Sequence, residues 1–266
     1  MTTRPLKGLA RNTARTLLDW LFPPTCLGCG EEGVFICSDC FSKIKLVPRD
    51  VCNYCGAFTS KKGKCPNCDH RELPYSGFRA FAYYDGVVRK AIHHLKYQND
   101  LTIGRYLAGW LQLVYQRAGW DVDLIVPIPI GEQKRQQRGY NQAERLAKPL
   151  SELLGIAYSH EALIRINEVS SQVGLNHEQR QENVRQAFMA RASKVENRRL
   201  LLVDDVFTSG ATMEAAAAEL MAAGAKKVYC LTVAKVNHLI DGEKPADGIH
   251  TNRRVEPRDS QGRWVE

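Results

Sequence analysis

Eight of the nine cysteines occur as four Cys-x-x-Cys pairs, and this repeat restricts the possible folds more than any other feature of the chain. The pairs are Cys26/Cys29, Cys37/Cys40, Cys52/Cys55 and Cys65/Cys68. A Cys-x-x-Cys turn places two sulfurs on one side of a tight loop, so two such turns can complete the tetrahedral thiolate coordination that structural zinc prefers. The four pairs therefore predict two structural zinc ions.

The residues beside the pairs indicate how the pairs share these ions. The first pair of each set continues into glycine, in CLGCG and CNYCG, whereas the second does not, in CSDC and CPNC. This alternation favours two consecutive ribbons with one ion each, and an interleaved arrangement stays open. Disulfides or a redox-active pair fit less well, because no secretory signal is recognisable and four equal repeats suit a framework better than a reaction centre. We expect His70 to be a surface residue and Cys230, in an apolar run, to be buried and inert.

Charge and hydropathy exclude several classes of protein. No apolar run is long enough to cross a bilayer, and the first segment mixes basic with apolar residues, so we expect neither a membrane span nor a signal peptide. The formal net charge of +8 would suit acidic partners. Two zinc ions on eight thiolates would lower that charge by four units, which weakens the case for a general nucleic-acid binder.

The chain divides into four predicted segments. Residues 1–24 carry a basic amphipathic pattern, which favours a helix packed on the main domain over one lying on a membrane. Residues 25–75 form the double zinc ribbon, residues 76–235 the main domain, and residues 236–266, rich in charges, Pro and Gly, a disordered tail.

Short apolar runs alternate with helical patterns in the main domain. LIVPIP, RLLLVDDV and KVYCLTV are typical of buried parallel strands, and helices are predicted up to Gly155 and from Met213 to Ala223. This alternation predicts an α/β fold with a doubly wound, mostly parallel sheet. Ligands of such folds bind at the carboxyl ends of the strands.

The stretch LLLVDDVFTSGAT is the strongest candidate site at such a strand end. Asp204 and Asp205 are expected where the strand ends, and Thr208, Ser209, Gly210, Ala211 and Thr212 lead into the next helix. Amides at a helix start and nearby hydroxyls suit a phosphate monoester, while paired carboxylates suit a vicinal diol, directly or through magnesium. The stretch therefore predicts binding of a ribose 5-phosphate. The alternative is an acidic strand end before a capped helix.

This stretch resembles the phosphoribosyl pyrophosphate (PRPP) motif of type I phosphoribosyltransferases. Further stretches resemble, in order, the signatures of the ComF/GntX family: LLDWLFPPTCLGCG, AIHHLKYQND, VPIPIGEQKRQQRGYNQAERLA and SSQVGLNHEQRQENVRQAF. The resemblance implies a cytoplasmic protein with a zinc module on a phosphoribosyltransferase-like domain, associated with competence and with the handling of internalised DNA.

The resemblance also implies roles for individual residues. Asp204 and Asp205 would hold the ribose hydroxyls, residues 208–212 the 5-phosphate, and Arg138, followed by Arg135, the pyrophosphate. Lys96 and Arg180 would be further cations of the PRPP site, and Asp204, Asp205 and Arg138 the catalytic residues. The signature also includes residues for which no role follows: Asn141, Gln142, Gln172 and Asn183.

Two functional hypotheses follow. In the first, the protein is an enzyme that displaces pyrophosphate from PRPP with Mg²⁺ and transfers the ribosyl phosphate to an acceptor that the sequence does not identify. In the second, the same pocket retains a phosphorylated ribose, while the zinc module and basic helix engage single-stranded DNA or a competence or replication-restart helicase. Aromatic residues near cations, such as Phe41, Tyr54 and Phe58, are weak indications of base stacking.

Overall fold

The computed structural model describes residues 23–59, 63–166 and 187–237. The predicted N-terminal helix, almost all of the predicted tail, and Gln172, Arg180 and Asn183 lie outside the described residues. Within the described ranges, no helix combines the length and the apolar character needed to cross a membrane.

Five parallel strands form the central sheet, in the order β1 (Gly77–Tyr83), β7 (Lys227–Lys235), β6 (Arg199–Phe207), β2 (Leu124–Pro127) and β3 (Ala157–Tyr158). Two further strands, β4 (Leu163–Arg165) and β5 (Phe188–Ala190), pair antiparallel. The predicted parallel α/β sheet is thus confirmed, and its three predicted apolar runs are the neighbouring strands β2, β6 and β7.

Helices cover both faces of the sheet. One face carries α3 (Gly86–Tyr97), α4 (Leu101–Ala118) and α6 (Gln142–Leu154), and the other carries α8 (Ala211–Ala222). The shorter helices are α1 (Ser38–Ser42), α2 (Pro66–Asp69), α5 (Glu132–Arg138) and α7 (Ala192–Val195). As the sequence predicts, α6 ends at Gly155, which is left-handed. Asn141, for which no role followed from the sequence, caps the start of α6 by accepting a hydrogen bond from the Ala143 amide at 3.0 Å.

Alternation along β6 separates two apolar cores. Leu201 and Val203 pack with α3, α4 and α6 on one face, whereas Leu200 and Leu202 pack with α8 on the other. The same alternation sends any two adjacent side chains of this strand to opposite faces.

The end of β6 differs from the prediction, which placed it directly before the two aspartates. Pairing with β2 does stop there, at Pro127 opposite Val203, but pairing with β7 continues as far as Phe207 opposite Lys235. The strand goes on because β7 still supplies hydrogen-bond partners along one edge. Both aspartates therefore lie in a strand whose other edge has become free of β2.

The cysteines form two consecutive groups of four, which decides against the interleaved alternative. The first ribbon holds Cys26, Cys29, Cys37 and Cys40, and the second ribbon holds Cys52, Cys55, Cys65 and Cys68. Three cysteines of the first ribbon belong to the same apolar core as α3 and α4, whereas the second ribbon forms a small cluster with Tyr54 and Leu73. His70 is exposed and joins neither group, and Cys230 is fully buried, both as expected.

Close packing of α4 on α6 yields a test of the fold. A Cβ at Gly104 would lie 2.6 Å from the carbonyl oxygen of Arg145, whereas a Cβ at Gly109 of the same helix would meet nothing within 4 Å. We expect Gly104→Ala to destabilise the protein by about 1–3 kcal/mol through overpacking. Gly109→Ala should stabilise it by about 0.5–1 kcal/mol, because alanine favours helix. Urea unfolding would compare them, and equal midpoints would contradict the described packing.

Candidate functional site

The candidate site lies where the order of the strands reverses. From β2 the chain proceeds outward to β3, then returns to place β6 and β7 on the other side of β2. A crevice forms at such a switch point, beyond the carboxyl ends of the two diverging strands. Here a cleft of about 210 Å³ opens between β2 and β6. Its lining comprises Ile128, Pro129, Ile130, Gly131, Gln133, Lys134, Gln142, Arg165, Asp204 and Thr212.

The carboxyl group of Asp204 lies at this cleft. Its position in β6 puts it on the α8 face, beside Thr212. Burial raises the pKa of Asp204 well above its usual range, and the negative charge of Asp205 raises it further. A carboxyl group in this setting gains from a cation or from hydroxyl donors, which is what a sugar-binding or metal-binding position offers.

Asp205 points to the opposite face, towards α3 and α6. Its side chain is only 5% exposed, and its Oδ2 lies 2.7 Å from the Nζ of Lys96, near the end of α3. Among the described residues no hydrogen bond reaches this oxygen besides that ion pair. Burial alone would lower the pKa of Lys96, but attraction to Asp205 outweighs it and raises that pKa, so the lysine stays charged.

Gln142 links this ion pair to the loop that follows β2. Its Nε2 donates to Asp205 Oδ1 at 3.4 Å, and its Oε1 accepts from Arg138 Nη1 at 3.0 Å. The Arg138 guanidinium also lies over the Tyr97 ring, 5.2 Å from its centroid. Arg138 is thus joined to Asp205 through one amide side chain that lines the cleft, whereas Lys96 contacts Asp205 directly.

Residues 208–210 form the turn between β6 and α8, and residues 211 and 212 begin the helix. Thr208, Ser209 and Thr212 are exposed, and the first amides of α8 have no partner within the helix. Gly210 is buried at φ +89°, and a Cβ there would lie 2.6 Å from the Phe207 ring. Only glycine meets both conditions. Hydroxyl groups and helix amides are thereby presented beside Asp204, in an arrangement that suits an anion.

The other predicted cations have different surroundings. Arg135 is half exposed, 4.0 Å from Glu144, and does not line the cleft. Sequence reasoning missed Arg165 and Lys134, which do. Lys134 stands in the basic stretch after β2, where its position could have suggested it. Arg165 had no local signal, because it reaches the cleft through the fold of β4.

Both cysteine groups fit zinc. A tetrahedron with Zn–S bonds of about 2.3 Å has S···S edges of about 3.8 Å. The sulfurs of each group lie within 4.8 Å of one another, with 3.6 Å between Cys29 and Cys37 and between Cys55 and Cys65. Backbone amides also donate to Cys52 Sγ, from Cys65 at 3.2 Å, as suits a thiolate. Two structural Cys₄ zinc sites are therefore the arrangement that these residues support.

The fold and the cysteine groups define a class of protein: a phosphoribosyltransferase-type domain that carries a double zinc ribbon. The model of the phosphoribosyl transferase domain family matches residues 97–250, and that of the double zinc ribbon domain matches residues 17–69.

Comparison with individual relatives identifies the family within this class of proteins. The chain is 31% identical over 208 residues to Competence protein F of Haemophilus influenzae, covering 75% of this chain and 90% of the relative. It is 30% identical to DNA utilization protein YhgH of Escherichia coli K12, covering 74% of this chain and 89% of the relative. Competence protein ComFC of Bacillus subtilis is 26% identical, with 71% and 79% covered. The chain belongs to the ComF family of phosphoribosyl transferase domain proteins.

The raised pKa of Asp204 makes a prediction about stability. Below about pH 3 the carboxyl is mostly protonated in both folded and unfolded chains, so Asp204→Asn should change little there. As the pH rises, the unfolded chain ionises first and the parent loses stability that the variant keeps. We therefore expect Asp204→Asn to melt a few degrees higher at pH 7, at roughly 2–4 °C for each kcal/mol. Calorimetry at both pH values, with exposed Asp50→Asn as control, would measure it. A lower melting temperature at pH 7 would contradict the description of Asp204.

Proposed function

We propose that this protein binds PRPP in the cleft between β2 and β6 and acts as a phosphoribosyltransferase-like protein in competence and DNA utilisation. The observation that carries the proposal is the meeting of Asp204 with Thr212, at the start of α8, in the cleft at the switch point of the sheet. The names of its relatives, which refer to competence and DNA utilisation, support the biological setting.

Each part of the ligand has a matching part of the cleft. The 208–212 loop and the start of α8 would bind the 5-phosphate through amides and hydroxyls. Asp204 would accept hydrogen bonds from the ribose hydroxyls, with Asp205 behind it holding Lys96 and Gln142 in place. Lys134 lines the cleft after β2, where the pyrophosphate would lie, and Arg135 and Arg138 of the same helix, α5, would add positive charge nearby that attracts it.

The chemistry of transfer needs little from the protein beyond placement and charge. The bond between the ribose C1 and the pyrophosphate oxygen would break, the oxygen would keep the electron pair, and a nucleophile would form the new C1 bond and lose a proton. Positive groups near the departing pyrophosphate stabilise the negative charge that develops on it. Asp204 would stabilise positive charge on the sugar ring.

Asp204 would also suit a magnesium ion delivered with PRPP. Mg²⁺ prefers carboxylate oxygens together with substrate phosphates. Burial and the negative charge of Asp205 make the ionised form of Asp204 unfavourable, which a cation would offset. Asp204 would be the protein group nearest to the magnesium ion. Bound there, the ion would neutralise charge on the pyrophosphate.

Calorimetric titration with PRPP and Mg²⁺ tests the proposal. Gly210→Ala should weaken binding by tenfold or more, because its Cβ would displace the Phe207 ring and the turn. Gly119→Ala is the matched control, since Gly119 also has a positive φ, +63°, but a Cβ there meets nothing within 4 Å. Asp204→Asn should weaken PRPP binding as well. Absence of binding by the parent protein, or equal affinities of the two glycine variants, would refute the proposed cleft.

Pyrophosphate release over a panel of bases and amines then separates the enzyme from a binding protein. Release that depends on one acceptor would establish transfer. Binding of PRPP with no release from any member of the panel would favour a sensor of phosphorylated ribose.

A second candidate function, binding of single-stranded DNA, rests on a different surface. A cavity of about 300 Å³ between the first ribbon and the start of α3 is lined by Lys43, Lys45 and Lys90. Lys45 pairs with Asp85 at 2.7 Å, and Lys90 donates to the Gly28 carbonyl at 3.3 Å. Among the proposed stacking residues Phe58 is 71% exposed, whereas Phe41 packs on Phe81 and Trp110. A helicase-like partner stays a prediction.

The salt dependence of the affinity for single-stranded DNA tests this second candidate function. For single strands the logarithm of affinity falls with the logarithm of salt by about 0.7 for each phosphate contact. Replacing Lys43, Lys45 and Lys90 together by alanine should reduce that slope by about 2. The control removes three exposed lysines at the amino end of the sheet or on α7: Lys194, Lys226 and Lys227. Equal slopes for the two triple variants would refute a specific role of the cavity.

A further inference from the structure

The second ribbon touches the candidate phosphate site directly. Arg71, three residues after the ligand Cys68, reaches Glu214 in the first turn of α8, with 2.8 Å between Nη2 and Oε2. The two residues are 143 positions apart in the chain, so the contact is a product of the fold. It places a cation of the zinc module on the helix whose start would bind phosphate.

The main chain of Arg71 is fixed by the ribbon. Its amide donates to the carbonyl of Cys68 at 3.2 Å, and its carbonyl accepts from Lys64 Nζ at 3.2 Å. Lys64 precedes the ligand Cys65. Both anchors of Arg71 therefore depend on the loop that the second zinc site closes.

The Glu214 carboxylate would repel a phosphate bound at the start of α8, and its ion pair with Arg71 offsets that repulsion. Its Oε1 lies 3.4 Å from the position of a Cβ at Gly210, inside the turn that would hold the 5-phosphate. A carboxylate in the first turn favours the helix, but it repels an anion bound at the same amides. Pairing with Arg71 removes most of that repulsion.

A second connection between ribbon and loop is apolar. Gly56, directly after Cys55, packs on Phe78 and on Lys235, whose ammonium donates to the Gly56 carbonyl at 3.2 Å. The Phe78 ring lies 4.1 Å, centroid to centroid, from Phe207, and Phe207 is the ring on which Gly210 rests. Phe78 and Phe207 thus connect the second ribbon to the turn between β6 and α8 through packing contacts.

We propose that the second zinc ribbon completes the phosphate site: Arg71 is a positioning residue that neutralises Glu214, and the Gly56–Phe78–Phe207 stack keeps the 208–212 loop in its binding geometry. The proposal rests on the proposed function, since it assumes a phosphorylated ribose at this loop. It assigns the ribbon a part in small-molecule binding, in addition to any role as a nucleic-acid or protein platform.

Ribose 5-phosphate is the probe that isolates this contact, because it lacks the pyrophosphate. Arg71→Ala should weaken its binding to the full, zinc-loaded chain about fivefold, the upper range for a partly exposed ion pair. Arg105→Ala is the control, because Arg105 also forms an Arg–Glu ion pair, with Glu152 at 3.3 Å, but on the α4 and α6 face, away from the 208–212 loop. Zinc content should be two per chain in both variants.

The double variant Arg71→Ala/Glu214→Gln identifies the mechanism. If Arg71 acts by neutralising Glu214, removal of both charges should restore affinity to within about twofold of the parent, and Glu214→Gln alone should bind at least as well as the parent. A merely structural role of the pair would instead make both single variants and the double variant weak. Parent-like binding by Arg71→Ala, or a double variant that stays weak, would overturn the proposal.

Amide hydrogen exchange supplies a readout that needs no ligand. In the zinc-loaded protein, exchange in residues 207–214 should be faster for Gly56→Ala, whose Cβ would lie 3.1 Å from the Phe78 ring, than for the parent or for Gly119→Ala, which also has a positive φ but no neighbour within 4 Å. Unchanged exchange would overturn the support of the loop by the ribbon. A parent that binds neither PRPP nor ribose 5-phosphate would overturn the proposed function, and the exchange rates would then decide separately whether the ribbon holds the loop.

Discussion

Strand alternation along β6 is the constraint on which the geometry of the candidate site depends. Because β7 pairs with the whole of β6 while β2 stops at Val203, the two aspartates remain in extended backbone beside an open cleft. Extended backbone sends adjacent side chains to opposite faces, so one carboxylate reaches the cleft and the other the interior. The two like charges still interact, since the charge of Asp205 raises the pKa of Asp204, and Lys96 compensates the inward carboxylate.

The inward aspartate illustrates how burial and pairing act together. Removal of one partner of a buried ion pair typically costs about 3–5 kcal/mol, since the remaining charge has lost both water and counter-charge. Lys96, in α3, and Gln142, in α6, both contact the Asp205 side chain. These two contacts hold α3 and α6 against β6, the strand that also carries Asp204. They thereby help to fix the position of the Asp204 carboxylate at the cleft.

Local repeats and periodicities were enough to predict the zinc groups, the parallel sheet, the end of α6 at Gly155 and the turn at Gly210. Contacts between distant residues were not, because they depend on how the elements pack. The link from Arg138 through Gln142 to Asp205 and the position of Arg165 belong to this second kind. The opposite orientation of Asp204 and Asp205 was readable from strand parity once β6 was known to continue, and the error lay in ending that strand too early. The predicted boundaries at residues 25–75 and 76–235 stay predictions.

The first ribbon has a consequence for how the chain matures. Cys26, Cys37 and Cys40 are buried in one continuous apolar core with α3 and α4, so their sulfurs are part of the interior. Without a metal to join them, these thiols would lack the bonds that hold the two turns of the ribbon together, and the ribbon would cover the flank of α3 and α4 less firmly. Completion of the hydrophobic core thus waits on metal supply, and a chain made under zinc starvation would present an apolar flank to chaperones and proteases.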